Sequence, residues 1–275
     1  MAGAPAHAGT EPVISVRDVV VSYNGRRVLD GINLDILRGE TMVLLGGSGS
    51  GKSTLLRQII GLERPQSGRI LVNGVDLANC RPEDLKKLRR SIGVAFQNAA
   101  LFNSMSVENN VALPLREHTR LEESTIRLMT WMKLAVVGLA EFGKLSPQAL
   151  SGGMKKRAAV ARALSLDPEI LVFDEPSAGL DPIVAAELDE LILGLKRAFN
   201  MTVVVVTHEM ASAFRIADRM AMLYKGSLIA VGTKGELQSN SHPRIRQFFD
   251  RVPDKIADTG ALDEYFQWYL EGGSV

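Results

Sequence analysis

Nine consecutive residues, Gly46, Gly47, Ser48, Gly49, Ser50, Gly51, Lys52, Ser53 and Thr54, have the types and spacing of a cradle for a chain of phosphates. They match G-x-x-x-x-G-K-[ST]. The glycines allow backbone angles that turn successive N–H groups onto phosphate oxygens. Lys52 can span the last two phosphates, and the Ser53 hydroxyl is a hard oxygen ligand suited to Mg2+. A helix opening near Lys52 would add the positive end of its dipole.

A second constellation completes the chemistry. Ile170–Glu175 (ILVFDE) is an apolar run ending in two adjacent acids, followed by Pro176. At the carboxyl end of a strand, Asp174 can enter the Mg2+ shell. Glu175 then faces the space from which a water attacks the terminal phosphate, and it can orient and partly deprotonate that water. Alone, such a pair is equally well an acidic turn after a buried strand. With a phosphate cradle in the same chain, the two read as one site that binds and hydrolyses a nucleoside triphosphate.

These residues need elements to hold them. Val13–Tyr23 and Arg26–Ile36 flank Asn24-Gly25, a hairpin turn signal. Thr41–Leu45 leads into the cradle as a strand, and Leu55–Leu62 leads out of it as a helix. Further strands are expected at Arg69–Val72, Ser91–Phe96, Glu169–Phe173 and Thr202–Thr207, the last two almost wholly apolar, as in parallel strands covered on both faces. Helical patterns fall at Pro182–Phe199 and Ala211–Ile216, and a closing hairpin at Arg219–Val231 turns at Lys225-Gly226. Between Gln97 and Leu166 strand signals vanish and the sequence reads helical, notably Glu122–Val136 and Met154–Leu166. The expected fold is α/β: a P-loop NTPase core with a mainly parallel sheet, an antiparallel β subdomain and an inserted helical lobe at about 97–166. Residues 1–12 read as a flexible tail without the basic and apolar regions of a signal peptide, 13–240 as the ATPase domain, and 241–275 as a C-terminal extension.

Composition bounds the function. The 275 residues carry a net charge of +1, which gives no bulk attraction to nucleic acid or anionic lipid. Cys80 is the single cysteine, so no intrachain disulfide can form. No apolar run approaches the ~18 residues of a membrane span. A role at a membrane therefore calls for a partner that does the spanning.

From Val13 to about Leu237 the chain resembles the nucleotide-binding subunits of ABC transporters. Leu150-Ser151-Gly152-Gly153 matches the signature of that family, which contacts the γ-phosphate of ATP held by the opposite subunit. Ser151 with Gly152 and Gly153 also has the makings of a helix N-terminus that could bind an anion, or simply of an N-cap. The resemblance further implies that Gln97 is the glutamine meeting Mg2+ and the attacking water. It makes Ser177–Asp181 the interfacial D-loop, His208 the switch histidine at the γ-phosphate, and Tyr23 the aromatic stacked on adenine. Without it, Gln97 would be a loop residue, His208 a solvated strand end and Tyr23 a hairpin side chain. The implied working unit is a head-to-tail homodimer with two composite ATP sites, coupled to integral-membrane permease subunits through a groove near Leu101–Val107, where Leu101, Phe102 and Met105 would meet a short partner helix.

Within the family, LSGGMKKRAAVARAL, with Met154 followed by Lys155-Lys156-Arg157, resembles the ATPases of the Mla group, which work with MCE-domain and STAS-like proteins to move phospholipid between inner and outer membranes. Ala95–Leu115 and His242–Arg251 are similar to the same group. The basic triplet by itself would also suit a solvated helix face. The implied location is the cytoplasmic face of the inner membrane, held there by the permease. An importer for a polar solute such as an amino acid remains a rival. A soluble ABC switch is a rival of another class, although the long coiled-coil insertion or second cassette of such proteins is missing from this sequence. At the far end, Leu262, Tyr265, Phe266 and Tyr269 repeat at i, i+3, i+4 and i+7. With Phe248, Phe249 and Trp268 near them, they lead us to expect an aromatic helix docking on its own subunit or on its neighbour.

Overall fold

The computed structural model describes residues 11–250, 252, 253 and 270. The expected aromatic helix around Leu262, Tyr265, Phe266 and Tyr269 lies outside the described residues, as does most of the expected N-terminal tail. The described chain divides into one unit up to Ser239 and a second from Asn240. In the second, Pro243–Phe249 form a short helix, with the His242 imidazole accepting from Arg244 N–H at its start.

Two sheets build the first unit. β1 (Pro12–Tyr23) pairs antiparallel with β2 (Arg26–Leu37) and, on its other edge, with β4 (Ser67–Val72), which pairs with the short β5 (Val75–Asp76). β1 begins at Pro12, so the expected flexible tail gives way to the sheet one residue early. The second sheet has six strands. β3 (Thr41–Leu45), β6 (Ile92–Ala95), β7 (Ile170–Asp174) and β8 (Thr202–Val206) are parallel, and β9 (Arg219–Tyr224) and β10 (Ser227–Thr233) close it as a hairpin, in the order β10-β9-β3-β8-β7-β6. Val203 to Val206, Val43 to Leu45 and Ile170 to Phe173 are 0% exposed. This is why β7 and β8 read as unbroken apolar runs rather than as alternating ones.

Helices cover the parallel sheet. α1 (Lys52–Ile59) follows β3 at once; α2 (Pro82–Arg90) precedes β6; α3 (Val107–His118), α4 (Glu123–Val136) and α5 (Gly152–Ala163) pack on one another, α5 also against β6. α6 (Pro182–Phe199) follows β7, α7 (Met210–Ile216) follows β8, and α8 (Lys234–Gln238) follows β10. Two helices begin a few residues ahead of the stretches that announced them. α1 starts at Lys52, where the helix opening was expected, directly after the left-handed Gly51, and so takes in three residues ahead of the apolar stretch that begins at Leu55. α5 starts at Gly152 rather than Met154, because the Ser151 hydroxyl caps it by accepting from Met154 N–H at 3.3 Å.

The topology places the site. β3, β8, β7 and β6 are neighbours and parallel, so their carboxyl ends share one edge of the sheet, within about 15 Å at ~4.8 Å per strand. Those ends lead directly into loop 46–51, into Thr207-His208, into Glu175 and into Phe96-Gln97.

Candidate active site

The loop after β3 is shaped by its contacts as much as by its glycines. Gly46 has φ 149° and Gly51 φ 104°; a Cβ on Gly46 would stand 2.3 Å from the Leu223 carbonyl oxygen, and one on Gly51 would stand 2.7 Å from Leu29 Cδ2. The loop is therefore pressed against β9 and β2, and only glycine fits at either contact. The hairpin turn at Gly226 supports it from beside: Gly226 N–H donates to Ser50 O at 3.1 Å, while Gly226 O accepts from Asp30 N–H at 2.8 Å. Lys52 is buried, and its Nζ donates to Gly46 O at 2.8 Å and Gly47 O at 3.0 Å. Burial pulls its pKa below the ordinary lysine value, a shift opposed by the charges of Glu175 and Asp174. The ammonium thus waits at the mouth of the cradle on two weak carbonyl acceptors, which phosphate oxygens would replace.

Asp174 ends β7 beside this loop. Its Oδ1 is fully buried with no hydrogen-bond partner, while the Ser53 hydroxyl bonds the carboxylate. Burial, with the charge of Glu175 second, raises its pKa; Arg57, Ser53 and Lys52 pull the other way. An orphaned carboxylate oxygen next to a serine hydroxyl is an oxygen-only donor set that fits a Mg2+ ion. Glu175 follows with φ 48°, its N–H bonded to Val206 O at 2.8 Å, and its Oε2 lies 2.9 Å from His208 Nδ1. Two expected residues from separate strands are thereby joined.

Gln97 is exposed, one residue beyond Phe96 at the end of β6. Tyr23, at 41% exposure, donates its hydroxyl to Glu63 just beyond α1, a bond that raises its pKa, with burial second. Ser151 and Gly152 are exposed, and a Cβ at Gly152 or Gly153 would face Leu180 and Val184 rather than the phosphate loop. Within one subunit the structure thus joins loop 46–54, Asp174, Glu175 and His208, and keeps the Ser151–Gly153 turn with α5 and α6.

The family comparison agrees with this arrangement: the ABC transporter profile matches residues 29–178, more than half of the chain. The chain belongs to the ABC transporter family. It shares 43% identity over 237 residues with the probable ribonucleotide transport ATP-binding protein mkl of Mycobacterium leprae, covering 86% of this chain and 68% of mkl. It shares 41% over 242 residues with the intermembrane phospholipid transport system ATP-binding protein MlaF of Escherichia coli K12, covering 88% of this chain and 90% of MlaF. Among solved structures, the cassette cbiO1 from Clostridium perfringens, part of the complex cbiONQ, superposes with a TM-score of 0.77 at 31% identity, over 92% of this chain and 99% of cbiO1. The dimeric cassette MJ0796 bound to ADP and Pi does so with 0.74 at 31% identity, over 80% and 98%. The chain is an ATP-binding, ATP-hydrolysing ABC transporter subunit.

Three contributors to this ABC ATPase site escape the sequence patterns. Lys156 is half-buried; its Nζ donates to Gln97 O at 2.6 Å and Glu175 O at 3.1 Å. The basic triplet is therefore only partly a solvated face. Arg162, six residues on in the same helix, bonds Ala100 O at 2.7 Å and Ala99 O at 2.9 Å. Asn110, fully buried in α3, holds the loop before it through Phe102 N–H at 2.7 Å and Phe102 O at 3.0 Å. The available signals were slight: a basic residue in the second turn of the signature helix and an asparagine on its own apolar face.

Proposed function

We propose that this chain is the ATPase subunit of a transporter that moves phospholipid between inner and outer membranes. The supporting observation is its 41% identity to MlaF along nine-tenths of that protein. In this reading it works as a head-to-tail homodimer with two composite ATP sites, on the cytoplasmic face of the inner membrane beneath permease subunits, with MCE-domain and STAS-like proteins as further partners and no nucleic acid. Among the described residues no helix is long and apolar enough to cross a membrane, which suits a peripheral subunit.

Each residue then has a task. Tyr23 stacks on adenine, loop 46–54 wraps the phosphates, and Lys52 moves from its two carbonyls to the β- and γ-phosphates. Ser53 and Asp174, with Gln97, would hold Mg2+, which draws charge from the phosphates. Glu175 orients the attacking water and accepts its proton, and His208 fixes the Glu175 carboxylate and approaches the γ-phosphate. Ser151, Gly152 and Gly153 of the second subunit cover that phosphate with a helix N-terminus.

A groove of about 830 Å³ beside β6, the last strand of the parallel sheet, suits the permease contact. It runs between α2 and α3, lined by Leu85, Phe96, Phe102 and Pro114 and by the cations Arg89 and Arg162. Phe102 contributes as expected, but Leu101 and Met105 do not line it. Their loop is turned inward by Asn110, and α2 supplies the opposite wall. A short partner helix with apolar residues and an acid would fit.

The ribonucleotide transport ascribed to mkl favours a second reading, transport of a polar solute, although the chain spans only about two thirds of mkl. Reconstitution separates the two. The chain purified with its membrane partners should show ATP-dependent transfer of labelled phospholipid between vesicles, with turnover stimulated by lipid. Uptake of a nucleotide or amino acid without lipid transfer would overturn the lipid reading.

A further inference from the structure

The N-terminus of α5 and the catalytic edge of the sheet are joined by a single rigid piece of helix. Ser151 is exposed at the helix cap; five residues later, about 7.5 Å along the axis, the Lys156 ammonium holds the carbonyls of Gln97 at 2.6 Å and Glu175 at 3.1 Å. Two separate loops, one after β6 and one after β7, thus hang on one cation. Glu175 carries φ 48°, so its backbone occupies a conformation that a non-glycine residue holds only when its surroundings impose it. Lys156 on the Glu175 carbonyl and Val206 O on its N–H impose it from opposite sides. The Gln97 side is tied in the same manner: Ala99 at φ 58° and Ala100 at φ 49° have their carbonyls gripped by Arg162 of the same helix. At the other end, Gly153 allows α5 to press on α6, since a Cβ there would meet Val184 at 2.6 Å, so the first turns have little room to bend independently.

We propose that Lys156 is a positioning residue that makes the γ-phosphate seat at Ser151 and the pair Gln97/Glu175 of the same subunit move as one body. The inference rests on the composite-dimer reading, in which Ser151 meets the nucleotide held by the partner subunit. ATP on the partner's phosphate loop then pulls on Ser151, α5 carries the displacement, and Lys156 delivers it to the backbone of Gln97 and Glu175 at the chain's own site. One occupied site thereby sets the geometry of the other. No part of this requires the Lys156 ammonium to touch nucleotide or water. Its burial lowers its pKa below the ordinary lysine value, a shift that the nearby charges of Glu175 and Asp174 oppose only in part.

The test uses the full chain in complex with its membrane partners, with Lys156→Met to remove the donor at similar length and Lys156→Arg to retain it. Equilibrium binding of a fluorescent ATP analogue, steady-state hydrolysis, melting temperature and amide hydrogen exchange are measured for each. Lys156→Met should leave the binding constant within about twofold and lower kcat about 10–100-fold. On adding ATP, the 97–100 segment should fail to gain the exchange protection it gains in the parent, and Lys156→Arg should restore most of both. Turnover within twofold of the parent, or ATP-induced protection of 97–100 that survives Lys156→Met, would overturn the proposal. So would a loss of nucleotide binding and melting temperature as large as the loss of turnover, since that marks a merely structural pin. Ser151→Arg, assayed in parallel, isolates the underlying reading. If it hydrolyses ATP at the parental rate, the composite dimer fails whatever Lys156 does. If it stops turnover and Lys156→Met does not, the coupling alone fails.

Discussion

His208 Nδ1 stands 2.9 Å from Glu175 Oε2, and the His208 N–H points at the same oxygen from 3.4 Å. One carboxylate oxygen is thus committed to the end of β8, which leaves the other for the water-activating role proposed for Glu175. The contact also fixes the imidazole, because the tautomer with hydrogen on Nδ1 is the one that bonds a carboxylate.

Glu175→Gln should retain the shape and the backbone bonds of this residue while removing the base. Turnover in the assembled complex should fall by ~10²–10⁴, the range for a lost general base. ATP affinity should remain, and the ATP-bound dimer should accumulate on a sizing column. Hydrolysis close to the parental rate would remove Glu175 from its role.

How far the sequence carried this picture depends on the range of the contacts. The residues of loop 46–54 are neighbours in the chain, so their pattern could be read directly, and the apolar runs of β7 and β8 announced two-sided burial. Glu175 and His208 were each visible as a strand end, but their contact spans 33 residues and needed the parallel order β7-β8 to bring it about. Lys156 was least legible. Its partners lie 59 and 19 residues away, and no periodicity within KKR distinguishes a residue turned inward from one turned to water. The groove was only half read for a similar reason, since its second wall, α2, lies on the other side of β6 in the chain and meets Phe102 only in the folded packing.

Ser151→Arg tests whether the site needs two chains. Ser151 is exposed, and its own hydroxyl only caps α5, so the isolated subunit should fold and bind ATP nearly as before, with only the ~0.5–2 kcal/mol cost of a lost cap. Dimer closure and hydrolysis should fail, because bulk and charge enter the seat proposed for the opposite γ-phosphate. Loss of ATP binding by the monomer, seen by calorimetry, would assign Ser151 to its own subunit's pocket instead.

Gly46→Ala places a methyl group 2.3 Å from the Leu223 carbonyl oxygen, a backbone atom in the middle of a sheet that cannot step aside. The loop must move instead. Overpacking of this kind costs ~1–3 kcal/mol, or roughly 2–4 °C of melting temperature per kcal/mol in a domain of this size. ATP affinity should fall by at least ~10-fold, because the displaced N–H groups no longer converge. Unchanged affinity in an equilibrium titration would mean that the loop tolerates the shift and that its shape is not what binds phosphate.

Asp189 tests the support beneath the segment that carries His208. It is buried in α6, with Oδ1 lacking a partner, while Ser212 of α7, the helix that follows His208, bonds the carboxylate. Burial raises its pKa above the ordinary value of 3.8; the Ser212 bond and the charge of Arg215 lower it, and Glu209 and Glu190 raise it slightly. A carboxyl group whose folded pKa is raised binds its proton more tightly in the folded chain than in the unfolded one. Its contribution to stability is therefore fully present below the unfolded pKa and is lost as pH rises through the folded value. Asp189→Asn keeps an acceptor for Ser212 and abolishes the titration. The melting temperature of the variant minus that of the parent should thus become more positive between pH 4.5 and pH 8, by a few degrees for each ~1 kcal/mol involved. A difference that stays flat, or that falls with pH, would show that Asp189 is ionised in the folded chain at no cost and that the α6–α7 contact is not under this strain.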